Sequence, residues 1–439
     1  MPPNSSPASE PALGPHFFRH QYARLVAKLS RRLGAAQMQL AEDCAQEALL
    51  QALSSWGRHG TPDDPAAWLY RVAWNRCLDH LRKHARVDLL GQELEPPQIA
   101  RQLAQTEAHF EEEIADDELR MLFVCADEQI SAQAQLVLCL KLLCGFSTKE
   151  IAARLFLSDA NVQKILSRGR ARLKSSWQAC ESDWMRAGAT RISQRLPAVQ
   201  QVLYLQFNEG YQSQKADEPI RRELCFEALR LSEMLVSHPR GNQPSSWALL
   251  ALMHFHTARL DARLDQAGDL LLLEEQDRRL YDRQHIEAGL VCLNHATRGG
   301  EFTTFHGEAA ILAEHCRAPS FDETRWGEIV ELYELLGRIS PSPLYTLNRA
   351  IALAEWKGPH QGLALLRKEA PPTWLSNHHS WDATIGELHR RCGNFSQAEL
   401  YLSRALERGP PQSESRLLYR RLEQAQRGDR KRRLSTQTS

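Results

Sequence analysis

Apolar residues recur at three- and four-residue spacing through almost the whole chain, from Phe17 to Leu422, and this spacing constrains the fold more than any other feature. It places one apolar stripe along each α-helix, whereas a half-buried strand would alternate every second residue. Strand patterns are nearly absent, although Gly268 between the short apolar runs of ARLDQAGDLLLL predicts one small hairpin. We therefore predict an all-α protein, and 439 residues suffice for roughly three domains.

Charge and cysteine usage limit the classes of function. The chain has 54 Lys and Arg against 54 Asp and Glu, so any nucleic-acid site must be local. Its ten cysteines include no CxxC pair, which favours a reducing compartment. The N-terminal sequence lacks a signal-peptide pattern, and the longest apolar run is interrupted by Lys141. We expect a cytoplasmic protein without a membrane segment.

Composition divides the chain into blocks. Residues 1–15, rich in Pro, Ser and Ala, and the polar tail RGDRKRRLSTQTS are predicted to be disordered. A first helical block ends near Arg86 and is followed by a segment whose many carboxylates face a single Arg101, with a Pro96-Pro97 break. This segment is predicted to be an acidic linker. A second block, Leu119 to Lys174, ends in a basic helix, and a long helical region begins near Asp183.

The last hundred residues contain a weak internal repeat. Small residues and a terminating proline stand at the offsets of a tetratricopeptide (TPR) unit: Gly386, Ala398, Ala405 and Pro410. About 36 residues earlier, Ala350 takes the place of Gly386 and Gly362 that of Ala398. We predict a TPR-like helical array here, and for residues 190–330 this remains a hypothesis.

The stretch AWLYRVAWNRCLDHLRKHAR, residues 67–86, combines aromatic and basic side chains. On a helical projection its apolar residues form one broad face, and Trp68 falls among the polar residues of the other face: Arg71, Asn75, Arg76, Asp79, Arg82 and Lys83. An aromatic ring among cations and an amide suits an unpaired nucleic-acid strand. A solvated face with one tryptophan packed on a neighbouring helix would give the same pattern.

Residues 147–174 have the spacing of a helix-turn-helix. Ser147 and Glu150 predict a capping box at the start of the first helix, and Ser158 with Asp159 predicts the start of the second. The second helix has an apolar stripe, Val162, Ile165, Leu166, Gly169 and Leu173, and an opposite face with Gln163, Lys164, Ser167 and Arg168, flanked by Arg170, Arg172 and Lys174. This arrangement fits a recognition helix in a major groove, although capped helix pairs with a basic second helix also occur for structural reasons.

Four segments in this order, AEDCAQEALLQAL, AWLYRVAWNRCLDHLRK, the acidic linker and the helix-turn-helix, closely resemble a bacterial RNA polymerase sigma factor. The resemblance is to the minimal extracytoplasmic-function (ECF) class of the sigma-70 family and covers roughly residues 17–178. The rest, containing VLYLQFNEGY, LLEEQDRRLYD and SPLYTLNRAIALAE, resembles the TPR-like C-terminal extension of one ECF subgroup. The predicted domains are sigma region 2 at 16–86, the linker at 87–118, region 4 at 119–178 and the extension at 186–428.

The resemblance assigns roles to residues. Asp43, Gln46 and Glu47 match the region 2 helix that docks on the clamp of core RNA polymerase. Arg71, Asn75 and Asp79 match positions that grip the minus-ten element of promoter DNA, and WGRHGTPDDP matches the loop that captures a flipped base. Asn161, Gln163, Lys164, Ser167 and Arg168 match the helix that reads the minus-35 element. With the flanking cations, the predicted DNA contacts are Trp68, Arg71, Asn75, Arg76, Asp79 and Arg82 in region 2 and Asn161, Gln163, Lys164, Ser167, Arg168, Arg170 and Arg172 in region 4.

The resemblance also implies the partners of the chain. The linker is expected to thread the polymerase cleft and RNA exit path, and the flap is expected to bind region 4. The extension is expected to take part in regulation, either masking region 4 or docking on polymerase, with a regulatory protein or peptide as a possible partner. We predict no cofactor, no metal and no catalytic residue.

Two alternatives from other classes remain at this stage. One is a helix-turn-helix transcription regulator that acts without polymerase and carries a TPR interaction domain. The other is an enzyme whose C-terminal pocket acts on a signal molecule. The segment EEQDRRLYDR could line such a pocket, although salt-bridged surface or helix packing is the more ordinary interpretation of Glu274, Glu275, Asp277, Arg278 and Asp282.

Overall fold

The chain is almost entirely helical, as predicted. The computed structural model describes residues 15–34, 37–88, 117–127, 129–155, 157–180, 188–211, 220–265, 271–368, 371, 375, 378–410 and 412–437. Eighteen α-helices and no strand lie in these ranges. The predicted linker (apart from its ends), the N-terminal segment 1–14 and Gly268 at the predicted hairpin turn lie outside the described residues. The Leu271 N–H donates to the Arg263 carbonyl at 2.8 Å.

The chain divides into two compact units. The first comprises Met1–Glu209 and Phe226–Gly241, and the second comprises Gly210–Cys225 and Asn242–Ser439. The first nine helices are α1 (Pro15–Leu33), α2 (Met38–His59), α3 (Pro65–Asp88), α4 (Asp117–Cys125), α5 (Ala132–Leu142), α6 (Thr148–Leu155), α7 (Asp159–Cys180), α8 (Gly188–Tyr211) and α9 (Arg222–Ser237). The others are α10 (Pro244–Ala258), α11 (Arg283–Ala296), α12 (Thr304–Arg317), α13 (Trp326–Ile339), α14 (Pro343–Lys357), α15 (Pro359–Lys368), α16 (His379–Arg391), α17 (Phe395–Glu407) and α18 (Gln412–Gln437).

Two small helical bundles lie in the first unit. In one, α1 packs on α2 and α2 on α3, with Leu29 and Leu69 wholly buried between them. In the other, α5 and α6 pack on α7. Helix α4 joins the bundles because it packs on both α1 and α5. The unit also contains most of α8 and residues 226–241, whereas the domain boundary predicted from the sequence is at residue 186.

Helix α4 is buried on almost every side. Of its nine residues only Asp117 and Arg120 are partly exposed, and even Glu118 is buried. A helix whose apolar residues extend over most of its circumference is stable in water only when neighbouring elements cover those faces. The contacts of α4 therefore hold the first unit together.

The second unit contains antiparallel helix pairs at the predicted repeat. Helix α14 packs on α15 and α16 on α17, with Ala350, Ala398 and Ala405 buried at the contacts. A Cβ on Gly362 would lie 2.6 Å from the Ala350 carbonyl oxygen, and one on Gly386 would lie 2.8 Å from Leu402 Cγ. Glycine is required there by the close approach of the helices.

One prediction about the C-terminal tail is wrong. The tail was expected to be disordered, yet α18 continues through it to Gln437. Leu418 and Ala425 anchor the first half of α18, which packs on α17. Once these turns are fixed, extension through the following Arg and Lys residues costs little, since nucleation is the expensive step.

None of the nine cysteines whose side chains the structure describes forms a disulfide, and eight of these nine are buried. This fits the thiols expected from the sequence.

Candidate nucleic-acid interface

Helix α3 presents the first predicted DNA face. Its start is fixed by Pro65 at the first helical position and by Asp64, whose carboxylate accepts the Ala67 N–H at 2.9 Å. Leu69, Ala73 and Cys77 are completely buried. Arg71, Asn75 and Asp79 lie exposed on the opposite side at four-residue spacing, and Arg82 pairs with Asp79 at 3.3 Å.

Trp68 lies at the edge of this face. Its ring is half-buried and meets Trp56 edge to face, with 5.4 Å between the ring centroids. Phe17 and Phe18 also contact Trp56. The aromatic group fixes the position of the Trp68 ring at the start of α3 while leaving part of it in contact with solvent.

Arg76 is partly exposed and its side chain is paired with α2. Its guanidinium donates to Glu47 Oε2 at 2.6 Å and to Gln51 Oε1 at 3.0 Å, both on α2. These contacts tie together two residues for which different partners were predicted, Arg76 for DNA and Glu47 for polymerase.

Helix α2 carries the predicted polymerase contacts and an apolar feature that the sequence analysis missed. Asp43 and Gln46 are exposed. Farther along α2, Leu50 and Leu53 are 65% and 57% exposed. Periodicity alone could have placed both leucines off the core stripe formed by Ala41, Ala45, Ala48 and Ala52, which are all wholly buried.

The helix-turn-helix forms as predicted. The Ser147 N–H donates to Glu150 Oε2 at 2.8 Å and the Glu150 N–H to Ser147 Oγ at 3.2 Å, which completes the capping box. Ser158 Oγ caps α7 by accepting the Asn161 N–H at 3.2 Å. The predicted stripe of α7 faces inward, with Gly169 close against Leu138.

The outward side of α7 is open to solvent. Exposed side chains follow one another along it: Asn161, Gln163, Lys164, Ser167, Arg168 and Arg172. They include all but one of the residues predicted to contact the minus-35 element.

The exception is Arg170, which turns toward the first bundle. Its Nη2 lies 2.6 Å from Oε2 of Glu42 on α2, and the Glu42 side chain is only 2% exposed. The Tyr22 hydroxyl donates to the same carboxylate at 3.3 Å. Burial raises the pKa of the Glu42 carboxyl, against the opposing effects of Arg170 and Lys141. No sequence pattern predicted this ion pair between the two bundles.

Within the first unit, further ion pairs connect α1 with α4 and connect α4 and the residues after it with α8 and α9. The Glu118 carboxylate accepts from Arg230 on α9 and lies 3.8 Å from Arg24 Nε on α1. Arg31 pairs with Asp117 at 2.9 Å. Arg195 on α8 donates to the Phe123 carbonyl at 3.2 Å and forms a buried pair with Asp127.

Comparison with known proteins identifies the class of transcription factor to which these two capped, solvent-facing helices belong. Residues 18–87 match Sigma-70 region 2, residues 121–173 match Sigma-70 region 4, and residues 195–297 match a family of unknown function (DUF6596). No solved structure matches the chain.

Two relatives show how far the likeness extends. An uncharacterized protein of Rhizobium meliloti (strain 1021) is 34% identical over 392 residues, covering 87% of this chain and 90% of the relative. A probable RNA polymerase sigma factor of Haemophilus influenzae is 24% identical over 156 residues, covering 33% of this chain and 80% of the relative. The chain belongs to the ECF class of the sigma-70 family, with a helical C-terminal extension. It is an RNA polymerase sigma factor.

Membrane-spanning helices and metal-binding clusters are both absent from the described residues. No helix there is both long enough and apolar enough to cross a bilayer. No group of three or more His, Cys, Asp or Glu side chains in the same ranges could hold a metal ion.

Proposed function

We propose that this sigma factor directs core RNA polymerase to promoters by reading the minus-35 element with α7 and by melting and reading the minus-ten element with α3. The open row on α7, from Asn161 to Arg168, carries this proposal. It combines amide and hydroxyl groups, which read base edges, with Lys164 and Arg168, which neutralise phosphates. The capping box and the buried stripe hold this row rigidly against the bundle.

Helix α3 supplies the complementary surface for a melted strand. Arg71 neutralises phosphate, Asn75 offers an amide to a base edge, and the fixed ring of Trp68 offers a stacking surface. Arg82 and Asp79 continue the same face. Arg76 then supports the α2–α3 contact through Glu47 and does not touch DNA.

The polymerase docks on α2 in this proposal. Asp43 and Gln46 supply polar contacts, while Leu50 and Leu53 supply apolar area beside them. Two neighbouring leucines more than half exposed are typical of a protein interface, because such area gains free energy when a partner covers it. The linker would thread the polymerase cleft, and the flap would contact region 4.

We assign the extension a regulatory role that acts through region 4 and is required for activity. Its arginines reach Asp127, which is buried, and Glu118 on α4, a helix that needs cover on every side. Without the extension these contacts are lost, and the apolar surface of α4 beside them meets water. A protein or peptide that binds the extension would thereby alter the contacts that cover α4, and with them the stability of region 4. We place no catalytic step in this chain.

Run-off transcription with purified core polymerase tests the proposal. The full chain should initiate from its promoter, Asn75→Ala and Lys164→Ala should each reduce initiation at least tenfold, and a truncation ending near Trp177 should be inactive. Lys357→Ala, in the second unit, is the matched control for Lys164→Ala and should retain full activity. Initiation by the truncated chain at or above the full-length level would overturn the role given to the extension. Tight promoter binding without polymerase, with no stimulation of transcription, would instead identify a polymerase-independent regulator.

A further inference from the structure

Three arginines converge in the second unit and have no carboxylate partner among the described residues. Arg259 follows the end of α10, Arg263 follows a short 3-10 helix (Leu260–Ala262), and Arg278 begins another (Arg278–Leu280). Among the described residues none of the three forms an ion pair, and each donates only to neutral oxygen atoms. We call these three residues the arginine cluster.

Arg259 lies at the centre of the cluster and is the most deeply buried. It is 8% exposed, its Nη2 donates to Gln276 Oε1 at 3.1 Å, and its Nε has no hydrogen-bond acceptor in the described part of the chain. Arg263 stacks on Tyr211, with its guanidinium carbon 3.6 Å from the ring centroid, and donates to the Tyr211 carbonyl. Arg278 donates to the His315 and Ala318 carbonyls at 2.6 and 2.8 Å.

The members of the cluster are close enough to influence one another. Burial lowers the pKa of Arg263 and of Arg278, and the charge of Arg259 lowers both further. Burial also lowers the pKa of His315 to about 3, with contributions from Arg259 and Arg278, so this imidazole is neutral at pH 7. His315 is buried, and its Nδ1 has no hydrogen-bond partner within the described ranges.

Elsewhere the same chain pairs its buried Arg195 and its partly buried Arg170 and Arg408 with carboxylates. Arg195 pairs with Asp127, Arg170 with Glu42, and Arg408 with Asp382 at 2.8 Å. A buried charge without a counter-charge opposes folding, because its hydration is lost and nothing replaces it. The arginine cluster therefore departs from the way this protein treats buried cations, and an added anion would supply the missing charge.

We propose that the arginine cluster binds the phosphate group of a small molecule. Its guanidinium groups come from two segments, since Arg259 and Arg263 flank one 3-10 helix and Arg278 begins another, and the buried Tyr281 hydroxyl, which donates to Gln276 Oε1 at 3.0 Å, lies beside them. Donors on several sides suit a tetrahedral dianion better than a flat carboxylate, which prefers one guanidinium edge. Arg263 and Arg278 are partly exposed and form the entrance, whereas Arg259 is too deeply buried to meet the backbone of duplex DNA.

Titration of the full-length protein with inorganic phosphate tests this proposal, at constant ionic strength with chloride as the reference anion. Phosphate should bind saturably by calorimetry and raise the melting temperature. Arg259→Gln and Arg263→Gln should each weaken binding at least tenfold. The matched control is Arg279→Gln, because Arg279 adjoins Arg278 in sequence, is 90% exposed and pairs with Asp277. It should bind phosphate like the unaltered chain.

Each other outcome counts against the proposal. Absence of saturable binding, or equal binding by Arg259→Gln and Arg279→Gln, would overturn it. Equal binding of acetate would refute the preference for phosphate, and competition by duplex DNA would refute a small-molecule ligand. If Arg259→Gln does not fold, Arg263→Gln decides, because the Arg263 side chain is nearer the surface. These readouts involve no polymerase, so failure here is distinguishable from failure of the promoter proposal.

Discussion

The ion pair between Arg170 and Glu42 allows a quantitative prediction about how the two sigma bundles are held together. Arg170→Gln removes the guanidinium 2.6 Å from a carboxylate that is 2% exposed. Glu42 Oε1 has no hydrogen-bond partner among the described residues, and Oε2 keeps only the 3.3 Å hydrogen bond from Tyr22. Breaking a buried ion pair from one side costs about 3–5 kcal/mol. Because Lys141 also favours the charged carboxylate, we expect the lower end, about 3 kcal/mol.

The free-energy cost of Arg170→Gln should depend on pH, and it should be larger at higher pH. Burial raises the pKa of the Glu42 carboxyl, so the folded chain holds this proton more tightly than the unfolded chain. The stability that the folded chain gains by holding this proton is fully present below the unfolded pKa of about 4.3. It is lost as the pH rises through the higher pKa of the folded chain. Arg170 is the largest influence that lowers this pKa, so its removal raises the pKa further. The deficit of Arg170→Gln should be greatest at pH 7–8 and should shrink as the pH falls toward 5.

Hydrogen exchange measured by mass spectrometry on peptides from α2 and α7 gives the free energy of local unfolding of these helices. A loss of about 3 kcal/mol should speed exchange there by about 100-fold at pH 7.5. The control is Arg168→Gln, because Arg168 is exposed on the same helix as Arg170. It should change the free energy of local unfolding by less than about 0.5 kcal/mol. The double variant Glu42→Gln with Arg170→Gln should recover most of the loss. A single-variant effect below about 1 kcal/mol, or one independent of pH, would refute the assignment of a buried charged pair.

Three shorter predictions follow from other parts of the molecule. Gly362→Ala places a Cβ 2.6 Å from the Ala350 carbonyl oxygen and should destabilise the chain by about 1–3 kcal/mol in thermal unfolding. The control is Gly337→Ala, whose added Cβ would have no atom within 4 Å. It should be neutral or stabilising by about 0.5–1 kcal/mol. Lys164→Ala should reduce the slope of log affinity against log salt for holoenzyme on promoter DNA by about 1, and an unchanged slope would remove Lys164 from the phosphate contacts. Asn75→Ala should weaken holoenzyme binding to a fork-junction promoter by about 1–3 kcal/mol and leave fully duplex minus-35 DNA unaffected, so equal losses on both would contradict its role at melted DNA.

Local interactions explain why so much of the fold could be predicted from sequence. The capping box of Ser147 and Glu150 involves residues three apart, and the buried stripe of α7 follows from helical period alone. Small residues at Ala350 and Gly362 predicted a close helix pair for a similar reason, because only small side chains allow such an approach.

Long-range ion pairs left no comparable signal. Arg76 and Arg170 are cations on polar helix sides, and sequence spacing cannot distinguish a cation that meets phosphate from one that meets Glu47 or Glu42. Their partners lie 29 and 128 residues away and become visible only in three dimensions. The tail was misjudged for a related reason, since its helix depends on the anchor provided by α17.

The Glu118 carboxylate pairs with Arg24 and with Arg230. These three residues are synthesised at very different times during translation. Arg230 follows Glu118 by 112 residues, and at about 5–20 residues per second the ribosome needs about 6–20 s to add them. From the addition of Cys180 until that of Arg230, the nascent chain holds both bundles but lacks the arginine that completes their junction. Newly made sigma modules therefore wait, incompletely assembled, until the extension emerges, and the nascent chain on a ribosome stalled in this interval would remain in that unfinished state.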